Sequence, residues 1–182
     1  MKVLSVNLGE RKKVIWKGKE IETGIFKYPV DKPIFVNKEH VDDDAVVDRK
    51  YHGGEQKALY VYGFNHYEFW QKHYPELEFS HGMFGENITV ENLDEHEIKT
   101  GDVYKIGEAI IEATIPREPC YKLGIRFDDA KVVKQFFLED KPGVYFKIIQ
   151  AGNVQSGDIL ELVEKAENAK SINEIYFEKR KR

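Results

Sequence analysis

Cys120 is the single cysteine of the chain and the residue with the most chemistry to offer. It sits in IPREPCYKLGIRF (residues 115–127), where Pro116 and Pro119 stiffen the backbone and Arg117, Lys122 and Arg126 lie close in sequence. Neighbouring cations favour a thiolate, which acts as a nucleophile or as a soft metal ligand. The competing reading is a small apolar residue packed in the core. A second cluster lies in DRKYHGGEQKALYVY (residues 48–62), which gathers Arg49, Lys50, His52, Gly53, Gly54 and Lys57. Arginine offers a bidentate fork and lysine a point charge for an anion, and paired glycines let backbone N–H groups approach it. It is not a P-loop, because the G-x-x-x-x-G-K-[ST] frame is absent. A surface turn with ordinary charges is the alternative. The third segment is HGMFGENITVENL (residues 81–93). There Glu86 and Asn87 either pin a tight loop to a strand or form a pocket wall, with Asn87 giving a donor or acceptor to a ligand.

Other candidates weigh less. Asp42, Asp43, Asp44 and Asp48 cluster without the spacing of a calcium loop, so a turn or solvated role is expected. Six histidines show no H-E-x-x-H pattern. A single cysteine excludes an internal disulfide framework and a cysteine-based zinc or iron–sulfur cluster.

These groups need a scaffold. The chain has 182 residues, 41% of them hydrophobic and 33% charged, which is one domain's worth of core. The net charge of −4 argues against a nucleic-acid binder. The N-terminus reads as an opening strand rather than a signal peptide, and no apolar run approaches the ~20 residues of a membrane span. A soluble cytoplasmic protein with no membrane or nucleic-acid partner is expected. Strand-like runs dominate: KVLSVNL, VIWKG and KEIETGIFKY about a Gly-Lys turn, KPIFVN, KALYVYGF, NITV, GDVYKIG, EAIIEATI, GVYFKIIQAG and GDILELV. Helices are expected at 65–74, where Phe64, Tyr67 and Trp70 share a face, and at 130–138, with Val133, Phe136 and Phe137 on one face behind Asp128 or Asp129. Ser171 and Glu174 form a capping-box pattern before Ile172, Ile175 and Tyr176, and the ending EKRKR reads as a frayed tail. In TGDVYKIG and SGDILELV, Gly101–Asp102 and Gly157–Asp158 are read as turns in which the aspartate bonds locally. Many short strands with few helices imply a mostly β fold with a closed or folded-over sheet.

Taken together, the motifs resemble the MOSC domain family, named for the C-terminal domain of molybdenum-cofactor sulfurase, and most of all its stand-alone bacterial members. The resemblance is carried by Asp44, Asp48, His52, Gly53, Gly54, Lys57 and Ala58, then by Gly82, Phe84, Gly85, Glu86, Asn87, Ile88 and Thr89. It continues through Gly101 and Asp102, then Pro116, Arg117, Pro119 and Cys120, and finally Gly143, Tyr145, Gly157 and Asp158. It implies a mostly β, MOSC-type β-barrel over residues 1–165, followed by a short helix and basic tail at 166–182. It also implies binding of a pyranopterin molybdenum cofactor, with Cys120 as the molybdenum ligand or sulfur carrier. Arg49, His52, Lys57 and Arg117 would then anchor the phosphate and pterin, Gly53 and Gly54 complete the cradle, Asn87 line it, and His52 or Glu86 relay protons. The implied activity is two-electron reduction of N-hydroxylated compounds with electrons from a separate reductase; the alternative is a non-catalytic module that carries the cofactor or sulfur. The family is also linked to pyridoxal phosphate, although no lysine here is marked as a Schiff-base site. Sheet edges and the C-terminal helix leave room for a homodimer.

Overall fold

The computed structural model of the protein describes residues 1–45, 47 and 53–181. The expected strands form, except that KEIETGIFKY breaks into two strands and a further short strand begins at the last residue of GVYFKIIQAG. They are β1 (Val3–Gly9), β2 (Lys12–Trp16), β3 (Lys19–Thr23), β4 (Lys27–Pro29), β5 (Ile34–Val36), β6 (Leu59–Gly63), β7 (Ile88–Val90), β8 (Val103–Ile106), β9 (Ala109–Pro116), β10 (Val144–Gln150), β11 (Gly152–Val154) and β12 (Glu161–Glu164). The helices are α1 (Tyr67–His73), α2 (Tyr121–Phe127), α3 (Lys131–Leu138) and α4 (Ile172–Arg180). The hairpin β2–β3 turns at Lys17 and Gly18, both with positive φ, one residue earlier than the Gly-Lys turn expected.

Eight strands form one sheet in the order β12-β8-β9-β10-β6-β7-β1-β4, with β5–β11 and β2–β3 as separate pairs. This corrects the expected barrel: the sheet curves but does not close. β12 pairs with β8 and β4 with β1, and neither edge meets the other. Where the start of β1 approaches the segment before β12, Lys2 bridges Ile159 and backbone hydrogen bonds join Met1 to Leu160 and Val3 to Gly157 and Asp158, but the two edge strands themselves do not pair. β12 is four residues long and exposed throughout, so it has no apolar face to seal a seam.

Alternation along the central strands divides the core in two, because successive side chains point to opposite faces. Leu59 and Val61 of β6, with Val144, Phe146 and Ile148 of β10, enter an aliphatic core with Val3, Val6, Ile88 and Ile111. Tyr60, Tyr62 and Tyr145 face the other way, into an aromatic core with Trp70, Phe84, Phe127 and Phe136 under α1, α2 and α3. The ring of Trp70 stacks on Phe136 at 5.5 Å, and its indole N–H donates to the Tyr62 hydroxyl at 2.9 Å.

Burial raises the pKa values of Tyr60, Tyr62 and Tyr67 well above the ordinary tyrosine range. The unfolded chain therefore releases these protons first, from about pH 10 upward. Stability is full below that pH and falls as pH rises toward the folded values. In an alkaline spectrophotometric titration these three tyrosines should ionise only with unfolding. Ionisation of all ten in a still-folded protein would contradict this.

The capping box at Ser171 and Glu174 is complete, with both reciprocal bonds made. α4 is part of the packed body: Ile172 joins the aliphatic core and the Tyr176 hydroxyl donates to the Phe136 carbonyl at 3.1 Å. The tail is not frayed over its described length. Lys179 pairs with Glu118, and Arg180 with Asp140 and the Glu139 carbonyl. Asp102 and Asp158 each accept the N–H of the residue three places earlier, from Lys99 and Gln155, as the local-turn reading expects. In α3 the buried stripe is Val132 and Phe136, with Val133 and Phe137 at its margin, and Asp129 bonds the Lys131 N–H at its start. The helix α2 was not legible in the sequence. Two prolines precede it and Gly124 interrupts it, and its seven residues form because Leu123 and Phe127 dock in the aromatic core.

Candidate functional site

A cleft of about 90 Å³ opens where the β3–β4 connection, the start of β6, the end of β9 and β10 converge. Its lining includes Lys27, Asp44, Lys57, Tyr60, Asn87, Arg117, Cys120, Lys122 and Tyr145.

Local structure places each group. β9 carries one extra residue opposite β10, since Val144 pairs with Pro116 but Phe146 with Ala113. Such a bulge re-aims the strand, and Arg117 follows it directly. The guanidinium lies between the Tyr60 and Phe136 rings, 5.2 Å from each centroid. Arg117 is 3% exposed, and its Nη1 is buried with no hydrogen-bond partner among the described residues. Burial works against its charge. The facing oxygens of Tyr60 and Tyr145 and the sulfur of Cys120 more than offset that, so its pKa lies above the ordinary arginine value. Cys120 takes the N-cap position of α2 in extended backbone, and its side chain makes no capping bond. The sulfur also acts on the Tyr145 hydroxyl, which burial keeps protonated above the ordinary tyrosine range. Thiol, guanidinium and both tyrosines thus share one space.

Lys57 ends the 3-10 turn Glu55–Lys57, with its ammonium 6.0 Å from the Tyr145 ring centroid. The turn is tied to the sheet through the Thr114 hydroxyl, within hydrogen-bond distance of the Gln56 and Tyr145 carbonyls at 2.6 and 2.9 Å. Opposite, Asp44 accepts from the Gly9 N–H at 2.9 Å, from the Asn87 amide at 2.9 Å and from the Lys27 ammonium. The loop before β7 presses on this wall. A side chain at Gly82 would lie 2.7 Å from the Lys27 carbonyl, and one at Gly85 the same distance from Ile25, while both glycines have positive φ. Only glycine tolerates both conditions.

The structure therefore brings together Cys120, Arg117, Lys57 and Asn87 of the residues singled out in the sequence. Asn87 lines the cleft, but its amide is engaged with Asp44. Glu86 stands apart from the lining. It is fully buried and accepts from the Gly82 and Phe84 N–H groups, the Thr89 hydroxyl and the Tyr67 hydroxyl. Gly53 and Gly54 are not among the lining residues either. Arg49 and His52, with Asp48 and Tyr51, lie outside the described residues. Sequence reasoning missed Lys27 and Tyr60, which look like ordinary strand residues, and named Tyr145 only as part of the family pattern. It gave Asp44 a turn or solvated role beside its place in the family pattern, whereas its side chain is 2% exposed.

The MOSC domain family matches residues 48–161. The chain belongs to the MOSC domain family. This MOSC protein is 36% identical over 170 residues to the uncharacterized protein YflK of Bacillus subtilis, covering 93% of the chain and 76% of that protein. It is 31% identical over 166 residues to a protein of Gibberella moniliformis named reductase, covering 90% of the chain but 29% of that longer protein. Among solved structures, YiiM from Geobacillus stearothermophilus superposes with a TM-score of 0.78 at 33% identity, covering all of this chain and 86% of that one. Membership in this family is consistent with a reductase-type role. Among the described residues, no helix is long and apolar enough to cross a membrane.

Proposed function

We propose that the cleft binds a pyranopterin molybdenum cofactor and that the protein reduces N-hydroxylated compounds by two electrons, fed by a separate reductase. The observation that carries this reading is the shared space of the Cys120 sulfur and the buried Arg117 Nη1, which has no partner among the described residues. A guanidinium N–H left without a partner in the interior is costly unless an anion meets it. Lys57 and Lys122 add to the positive lining of an otherwise acidic chain. Among the described residues no three of histidine, cysteine, aspartate and glutamate converge to hold a metal ion. A metal entering here would bring most of its own ligands and take one sulfur from the protein. A dithiolene-bound, phosphate-bearing cofactor has that chemistry. The cavity has room for one end of such a group rather than the whole of it.

When bound, the cofactor supplies two-electron reduction. Cys120 would hold its metal end, while Arg117, Lys57 and Lys122 neutralise its negative charge. The rings of Tyr60 and Phe136 keep the guanidinium in place, and the two protonated tyrosine hydroxyls add no charge of their own near neutral pH.

Elemental and pterin-fluorescence analysis of protein produced in a cofactor-competent host tests this reading. Molybdenum and pterin near one per chain, with turnover of an N-hydroxylated substrate by reduced methyl viologen, are expected. Folded protein carrying neither would overturn it.

A further inference from the structure

The reduction needs a proton at the departing oxygen, and the structure narrows the groups able to give it. Glu86 is walled off from the cleft by four donors of its own. Arg117 does not release its proton under ordinary conditions. Asp44 already accepts from three donors, the Gly9 N–H, the Asn87 amide and the Lys27 ammonium, so its oxygens are engaged. Lys27 differs from all of these. Its side chain is 9% exposed yet lines the cleft, and among the described residues Asp44 is the one recorded partner of its ammonium. An ammonium carries three donors, so among the described residues two of its N–H groups are without a partner.

Its position is also unusually determined. The backbone of Lys27 pairs with Gly9 in the β1–β4 ladder and is buttressed by Gly82. The carboxylate that holds the ammonium is itself fixed from β1 and from the residue before β7. Burying a lysine–aspartate pair carries a desolvation penalty that an apolar pair would avoid. That penalty has a use where a fixed acid must face a reacting atom.

We propose that Lys27, positioned by Asp44, is the acid that protonates the oxygen leaving an N-hydroxylated substrate; this rests on the reductase reading above. In balance, R–NHOH, two electrons and two protons give R–NH2 and water. The N–O bond breaks, nitrogen is reduced, and the oxygen departs as water with one proton from the Lys27 ammonium. The neutral amine regains its proton from solvent, and the second proton, also from solvent, ends on the product nitrogen. The electrons come from the external reductase. Lys27 is the catalytic residue in this scheme, and Asp44 a positioning one.

The test uses full-length K27A and K27R from the cofactor-competent host, with molybdenum and pterin per chain measured beside turnover of an N-hydroxyamidine. Loading at the wild-type level is expected in both variants. kcat should fall about 100-fold or more with KM little changed, the usual size of a general-acid contribution. Added ethylammonium should restore turnover to K27A, and a series of primary amines should rescue in order of acid strength. K27R keeps the ion pair to Asp44 but cannot donate readily, so it should stay slow. Wild-type turnover in K27R would reassign Lys27 to a structural ion pair and overturn the proposal. So would undiminished turnover in loaded K27A, or a loss that no amine rescues. Should K27A fail to fold, the K27R result decides. Wild-type protein without molybdenum would instead bring down the reductase reading itself.

Discussion

Cys120→Ser is expected to reduce turnover of N-hydroxylated substrates to background while leaving the protein folded. The two halves of this expectation have separate causes. Serine removes the soft sulfur donor, and a neutral hydroxyl is a poor substitute at a sulfur-rich metal centre. The position itself favours serine. Cys120 caps α2 from extended backbone and makes no side-chain bond there. A serine oxygen can accept an N–H from the first turn, an interaction worth about 1 kcal/mol. The variant should therefore unfold at or slightly above the wild-type temperature, so loss of activity cannot be ascribed to loss of fold. Thermal unfolding, molybdenum content and turnover on one preparation check all three points. A C120S protein that keeps both molybdenum and activity would remove the sulfur from the proposed chemistry.

Glu86→Ala should have the largest effect on stability, about 3 kcal/mol or more, because one truncation strands several buried groups. The Gly82 and Phe84 N–H groups and the Thr89 and Tyr67 hydroxyls all lose their acceptor. Among these, Tyr67 belongs to the aromatic core and Gly82 lies against the Lys27 carbonyl. Loosening this loop thus also loosens the wall that carries Lys27. Chemical denaturation should show the fall in stability. Glu86→Gln should recover part of it, since the amide oxygen still accepts while its NH2 meets donors. A loss under 1 kcal/mol for E86A would mean that water replaces the carboxylate, and the loop would not depend on it.

Much of the architecture was legible because it rests on short-range rules. Alternating apolar residues marked the strands from KVLSVNL to GDILELV, the Ser171–Glu174 spacing marked the start of α4, and Gly101–Asp102 and Gly157–Asp158 marked their turns. The motif order carried the family, which the match over residues 48–161 shows. Whether the sheet closes was not legible. Closure depends on how two distant edges meet, and β4 and β12 do not pair. The same limit applied to α2, whose seven residues have weak propensity of their own and fold against aromatic neighbours supplied by β6, α1 and α3.

For the candidate site, residue type and spacing determined that Cys120, Arg117 and Lys57 had chemistry to offer and that Glu86 and Asn87 were either pins or ligands. Tertiary packing decided between those roles: Glu86 is enclosed behind the loop, while Asn87 reaches the cleft and holds Asp44. It also revealed Lys27, seventeen residues from Asp44 in the chain yet bonded to it. Sequence encodes local backbone preference and the period of apolar side chains. Which polar groups end up desolvated against one another is a long-range outcome of how the sheet curves, and it exists only in the folded molecule.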